Sequence, residues 1–174
     1  MSVNVNMTFE QVTSLLSKSP RKNGRFNLFF KINDNLGLKL SKSKEDRDGN
    51  YERQTAAAKH GLGPETYGII DCIEFNGTKY YGYFTEIVEV FPYSYEVSYI
   101  LTPEEYEDYD TLYDNLRKKI GFCFTDSHSL NIGRKTGIPG YPNGKIVCID
   151  FDSNSFFEKI SLGCERNEEY VIPE

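Results

Sequence analysis

No apolar run in this sequence approaches the roughly 18–20 residues that a membrane-spanning helix needs. The first residues, MSVNVNMTFEQ, have neither the basic start nor the apolar centre of a secretory signal. Both absences predict a soluble, cytoplasmic protein without a membrane partner. There are only two histidines, His60 and His128, which argues against a histidine-rich metal site. None of the four cysteines, Cys72, Cys123, Cys148 and Cys164, falls in a Cys-x-x-Cys pair. Their apolar, strand-like surroundings predict buried free thiols and argue against a zinc site or a disulfide framework. Internal repeats and low-complexity linkers are also absent.

What is present is an ordinary globular composition over 174 residues, enough for one domain or two small lobes sharing a cleft. The net charge of −6 is unevenly spread. Residues 1–60 hold 11 Lys and Arg against 6 Asp and Glu, and the remainder holds 9 against 20. The overall acidity argues against nucleic acid as a general partner. The asymmetry suits either a basic nucleic-acid arm or two lobes that face a polyanion–metal complex from opposite sides.

Periodicity and punctuation predict the elements. Residues 8–18 read as a short amphipathic helix, with Thr8 as its cap, and 19–24 as a turn. Residues 25–34 and 36–43 read as strands joined by the hairpin signal NDNLG. KEDRDGN, 44–50, reads as a charged loop, and 51–64 as a helix ended by Gly61 with Pro64 beyond it. Residues 66–77 and 78–91 are apolar, aromatic and β-branched, with an Asn-Gly turn between them. Thr102 is a good N-cap for a long helix with Pro103 in its first turn and Glu104 and Glu105 at its positive end. Leu112, Leu116 and Ile120 mark its buried stripe, and Arg117, Lys118 and Lys119 close its negative end. Residues 145–151 read as a strand and 153–163 as a last short helix. The sum is an α+β layout.

The stretch FTDSHSLNIGR, 124–134, places Asp126 and Asn131 in a loop, and Asp150 ends the strand that follows. A carboxylate and an amide oxygen brought together across such a turn can hold Mg²⁺, which binds through few protein oxygens and completes its shell with phosphates and water. A second carboxylate can orient or deprotonate a hydroxyl. With a cation on the phosphates, these are the parts that phosphoryl transfer needs.

These residues resemble the protein-kinase-like fold, in the atypical, small phage-type form related to aminoglycoside phosphotransferases. The family's catalytic loop has an aspartate followed five residues later by an asparagine, here Asp126 and Asn131 in a D-x-H-x-x-N variant. Its metal-binding D-F-G motif is similar to Asp150-Phe151-Asp152. Upstream, LGLKL supplies Lys39, similar to the lysine that holds the α- and β-phosphates. Glu52, in the helix NYERQTAAA, is similar to that lysine's ion-pair partner. Thr85, with Glu86, Ile87 and Val88 after it, resembles the hinge strand that binds the adenine edge.

The resemblance covers roughly residues 25–160 and implies a minimal two-lobed fold with a truncated C-terminal lobe. Residues 1–86 would form the N-terminal lobe and 87–174 the C-terminal one. It implies Mg²⁺ and ATP as cofactors and a hydroxyl acceptor. A tiny C-terminal lobe leaves an open cleft, which favours a protein serine or threonine. A phage-encoded relative of this size would act in the host cytoplasm.

The departures are specific. The glycine-rich loop is absent, and Lys22 and Arg25 are the cations near its place. The H-R-D triplet is Phe124-Thr125-Asp126, so control through an activation-loop phosphate is not expected. There is no A-P-E motif. These departures favour a rival reading, a pseudokinase that docks a partner protein. A second rival is a small-molecule phosphotransferase, for which the acidic C-terminal part could attract cationic substrates. Taken singly, Asp126 would be an ordinary turn aspartate, Glu52 a solvated helix residue, and Lys39 one of a run with Lys42 and Lys44. Lys39 is singled out by its strand position between Leu38 and Leu40. His128 reads as a structural hydrogen-bonding residue, the tyrosines of 93–113 as packing, and Arg134 and Lys135 as a surface turn or substrate contacts.

Overall fold

Alternation along the strands sorts the chain into one face of leucine and another of polar groups. The computed structural model describes residues 11–12, 14, 22–23, 27–75, 77–94, 96–124, 128–152 and 156–158, with backbone alone at 22–23, 75 and 156–158. The strands Lys22–Asn23 (β1), Leu28–Lys31 (β2), Leu36–Ser41 (β3), Thr66–Phe75 (β4) and Thr78–Glu86 (β5) form one antiparallel sheet in the order β1-β2-β3-β5-β4. The β2–β3 hairpin turns where NDNLG predicts it. Asn33 Oδ1 accepts the N–H groups of Asn35 and Leu36, each at 2.9 Å, which fixes the turn through a side chain. The β4–β5 hairpin turns at Gly77, whose φ of 71° suits a residue without Cβ.

One face of this sheet carries Leu36, Leu38, Leu40, Tyr80 and Phe84, which pack with Phe30 and Val12. Leu38 and Leu40 are fully buried, each contributing about 2 kcal/mol by removal of apolar surface from water. The other face carries Lys39, Tyr83 and Thr85, and there lies the helix Lys44–Lys59 (α1).

The charged stretch 44–50, expected as a loop, is the first part of α1. Ser43 caps it by accepting the Asp46 N–H at 3.1 Å, and Glu45 and Asp46 sit at its positive end. Its buried stripe begins with Arg47, Asn50 and Gln54 and becomes apolar only at Ala57 and Ala58. A polar buried stripe has helical spacing without hydrophobic spacing, so the apolar pattern could not reveal it. Gly61, with φ 66°, ends the helix as expected.

The second half contains Glu89–Val90 (β6), Phe122–Phe124 (β7), Ile132–Lys135 (β8), Lys145–Cys148 (β9) and Phe156–Glu158 (β10). They form a three-stranded sheet, β6-β8-β9, and a two-stranded ladder, β7-β10. The helix Pro103–Asn115 (α2) opens on a complete capping box: the Thr102 hydroxyl accepts from Glu105 N–H, and the Glu105 carboxylate accepts from Thr102 N–H. It continues into a π turn, Leu116–Ile120. Leu112 and Leu116 are buried with Ile132, Ile146 and Phe151 in a second core that also takes in Ala57 at the end of α1.

The architecture is thus α+β, with antiparallel sheets and two helices among the described residues. Two further expectations are corrected. The last segment is not helical at 156–158, where its backbone pairs with 122–124; the rest of 153–163 lies outside the described residues. Cys72 is exposed, at a register shift between Ile70 and Ile73 in β4, while Cys123 and Cys148 are buried as expected. Cys164 and most of the helix expected at 8–18 lie outside the described residues, although 11, 12 and 14 are helical. No helix among the described residues is long and apolar enough to cross a membrane.

Candidate functional site

Residue 149 ties three of the expected site residues together through its peptide groups. Lys39, on the polar face of β3, reaches across with its ammonium and donates to Ile149 O at 2.6 Å. Ile149 N–H donates to Asn131 O at 2.9 Å. Asp150 follows directly, and its Oδ1 accepts the Asp152 N–H at 3.1 Å. The Tyr83 and Phe151 rings lie 5.8 Å from Lys39 Nζ, within cation–π reach. Burial pushes the Lys39 amine below its ordinary proton affinity, and the Asp150 charge pulls the other way. Burial also pushes the Tyr83 hydroxyl and the Cys148 thiol up, so Tyr83 stays a hydrogen-bond donor and Cys148 stays unreactive.

Asn131 ends a short 3-10 turn, Ser129–Asn131, and is buried. That turn is pinned from the 92–94 segment: Ser129 Oγ donates to Pro92 O at 2.7 Å, and Ser94 N–H donates to Ser129 Oγ at 2.6 Å. The Asn131 amide nitrogen lies 3.4 Å from His128 Nε2. Asp126 lies outside the described residues, between Phe124 at the end of β7 and His128.

Glu52 does not take the place expected of it. Its side chain is exposed on α1, and the acceptor at Lys39 Nζ is Gln54 Oε1, at 3.0 Å. Two residues along a helix are about 200° apart around its axis, so Glu52 and Gln54 cannot serve the same partner. Thr85 is buried, and its hydroxyl accepts from Gln54 Nε2 at 2.6 Å, so it belongs to the Lys39 network. Glu86, Ile87 and Val88 link β5 to β6 and are half-buried. The N–H groups of Glu86 and Ile87 are committed to Glu65 O (2.9 Å) and Asn35 O (3.1 Å).

Arg134 and Lys135 are structural. Lys135 Nζ lies 2.8 Å from Glu86 and 3.2 Å from Glu65, joining β8 to the first sheet. Arg134 pairs with Glu89 and Glu105. Arg53, which sequence reasoning missed, donates through Nε to Phe151 O at 2.8 Å and through Nη2 to Asn50 Oδ1 at 2.7 Å, so α1 holds the segment that carries Asp150. Its only signal in the sequence is a cation one position from Glu52.

Among the described residues no group of three or more His, Cys, Asp or Glu side chains is placed to hold a metal ion. Mg²⁺ needs no such cage when phosphates and water supply most of its oxygens. Asp150 carries a carboxylate and Asn131 an amide oxygen, the donor types such an ion takes. No protein-family model matches this sequence, and a comparison with curated proteins returns no match.

Proposed function

We propose that this protein transfers a phosphoryl group from Mg²⁺-ATP to a hydroxyl, with a protein serine or threonine as the acceptor, on a minimal two-lobed kinase-like fold. The observation that carries the reading is the convergence at residue 149, whose carbonyl accepts from the half-buried Lys39 of β3 and whose N–H donates to Asn131 O, directly before Asp150 in the chain. The end of the first sheet at Glu86, where the resemblance puts the lobe boundary, also supports it.

In this reading Lys39 holds the α- and β-phosphates. Asn131 and Asp150 are the residues that would hold Mg²⁺, which when bound neutralises phosphate charge. Asp126 orients the acceptor hydroxyl. Phe151, packed in the second core, and Arg53, bonded to its carbonyl, keep Asp150 oriented. Lys39 is held at the carbonyl next to Asp150, so the charge that develops in transfer would meet groups already in position.

The test is transfer from γ-labelled ATP to a cell lysate, comparing wild type with Asp126→Ala and Asp150→Ala. Label that disappears in both variants is the expected result. Undiminished label in either variant would overturn its assigned role. A second reading, a nucleotide-binding module that docks a partner without turnover, is favoured by Gln54 standing where the resemblance predicts a carboxylate. Thermal stabilisation by ATP with no transfer to any lysate protein would select it.

A further inference from the structure

Gln54 has all its hydrogen-bonding capacity in use. Its amide N–H groups go to Pro64 O at 3.1 Å and Thr85 Oγ1 at 2.6 Å. Its Oε1 accepts from Tyr83 OH at 2.9 Å and from Lys39 Nζ at 3.0 Å. The first pair of bonds points the amide nitrogen away from Lys39 and so holds the oxygen towards it. A carbonyl such as Pro64 O can only accept, so a carboxylate at 54 would set two acceptors face to face. The position is shaped for an amide.

Lys39 has a second acceptor in Ile149 O, also uncharged. Its ammonium therefore has two neutral oxygens in direct contact, with the charge of Asp150 acting from nearby. The other titratable groups facing it are Cys148 and Asp152 around β9 and Tyr83 on β5; Arg53 on α1 adds a positive charge next to Tyr83 and Asp152.

We propose that Gln54 is the positioning residue of the site, an uncharged clamp that aims Lys39 while leaving its charge to be matched by an incoming polyphosphate. The ligand class rests on the phosphoryl-transfer reading; the clamp rests on the Gln54 contacts. An ion pair within the protein would have to be broken, or shared, when phosphate arrived. An amide partner needs neither.

The experiment follows amine acylation by acetic anhydride from pH 6 to 10 on the whole protein, read by peptide mass spectrometry. Lys42, exposed on the same stretch of chain, is the internal control. The probe is inorganic tripolyphosphate without metal. Lys39 should reach half-labelling at a lower pH than exposed lysines such as Lys42, and tripolyphosphate should move the Lys39 midpoint up without moving theirs. Gln54→Glu should raise the midpoint by itself and weaken tripolyphosphate protection about tenfold.

Equal midpoints, no response to tripolyphosphate, or a Lys39 unlabelled at every pH would each overturn the proposal. So would a folded Gln54→Glu protein that titrates like wild type. If that variant does not fold, the wild-type titration still decides. A tripolyphosphate shift in a protein that transfers no phosphate would sink the enzymatic reading alone. Transfer with Lys39 titrating like Lys42 would sink this inference alone.

Discussion

Two cations, the half-buried Lys39 and the buried Lys135, are treated in opposite ways. On β8, Lys135 sits between the carboxylates of Glu86 and Glu65; burial opposes its charge, but those two partners outweigh it and hold the proton more tightly than usual. On β3, Lys39 sits against an amide and a backbone carbonyl; there burial wins over the pull of Asp150, and the proton is held more loosely. A cation matched inside the protein is a staple between sheets. A cation left with neutral acceptors keeps its attraction for something that arrives later.

That contrast can be broken most severely at Lys39. Lys39→Met is expected to lower phosphoryl transfer on the order of 10³-fold while the protein stays folded, as loss of a preorganised cation on the reacting charge does. A fall of less than tenfold in single-turnover assays would remove Lys39 from the site. Lys135→Met should do the reverse, costing stability and sparing the Lys39 amine. Glu86 would lose its cation while partly buried, at about 2 kcal/mol, less than for a fully buried pair because Glu65 stays half in water. Urea denaturation measures this, and an unchanged midpoint would show that the staple carries no load.

The Arg134 cluster sharpens the same comparison at smaller scale. Thr102→Ala removes the N-cap of α2 and should cost about 1 kcal/mol by the same urea titration. Glu105 is opposed by burial, yet the Thr102 N–H and then the Arg134 guanidinium overcome that and hold its carboxyl below 4.5. Its contribution is therefore fully present above pH 4.5 and lost as pH falls through the lower folded value. In Glu105→Gln that part of the acid limb of the stability curve should flatten, and an unaltered limb below pH 4.5 would contradict the assignment.

Much of the fold was legible because its turns and caps use residues with local reasons to be there. Asn33 sets one hairpin, Gly77 the next, and Thr102 with Pro103 and Glu105 announces α2. The first turns of α1 were hidden because Arg47, Asn50 and Gln54 bury polar groups at helical spacing, where a pattern search looks for leucine. That Lys39 lies on the polar face of β3 could be read from strand alternation. The partner of Lys39 could not, because ion-pair reasoning looks for an acid and Glu52 was the nearest one. Gln54 earns its place through bonds to Pro64 and Tyr83, and neither bond has a local signature. The β7–β10 pairing was missed for a similar reason, since Phe156 finds Phe124 only once the fold brings them together.

The Lys39–Ile149 bond spans 110 positions of chain. Closing so long a loop costs entropy that local hairpins do not, so such contacts form after them. At roughly 10 residues per second a ribosome needs about 10 seconds to add that interval. During synthesis the first sheet and α1 therefore emerge with the Lys39 amine still lacking its carbonyl acceptor, and the growing chain has no assembled site until residue 149 has been made and docked.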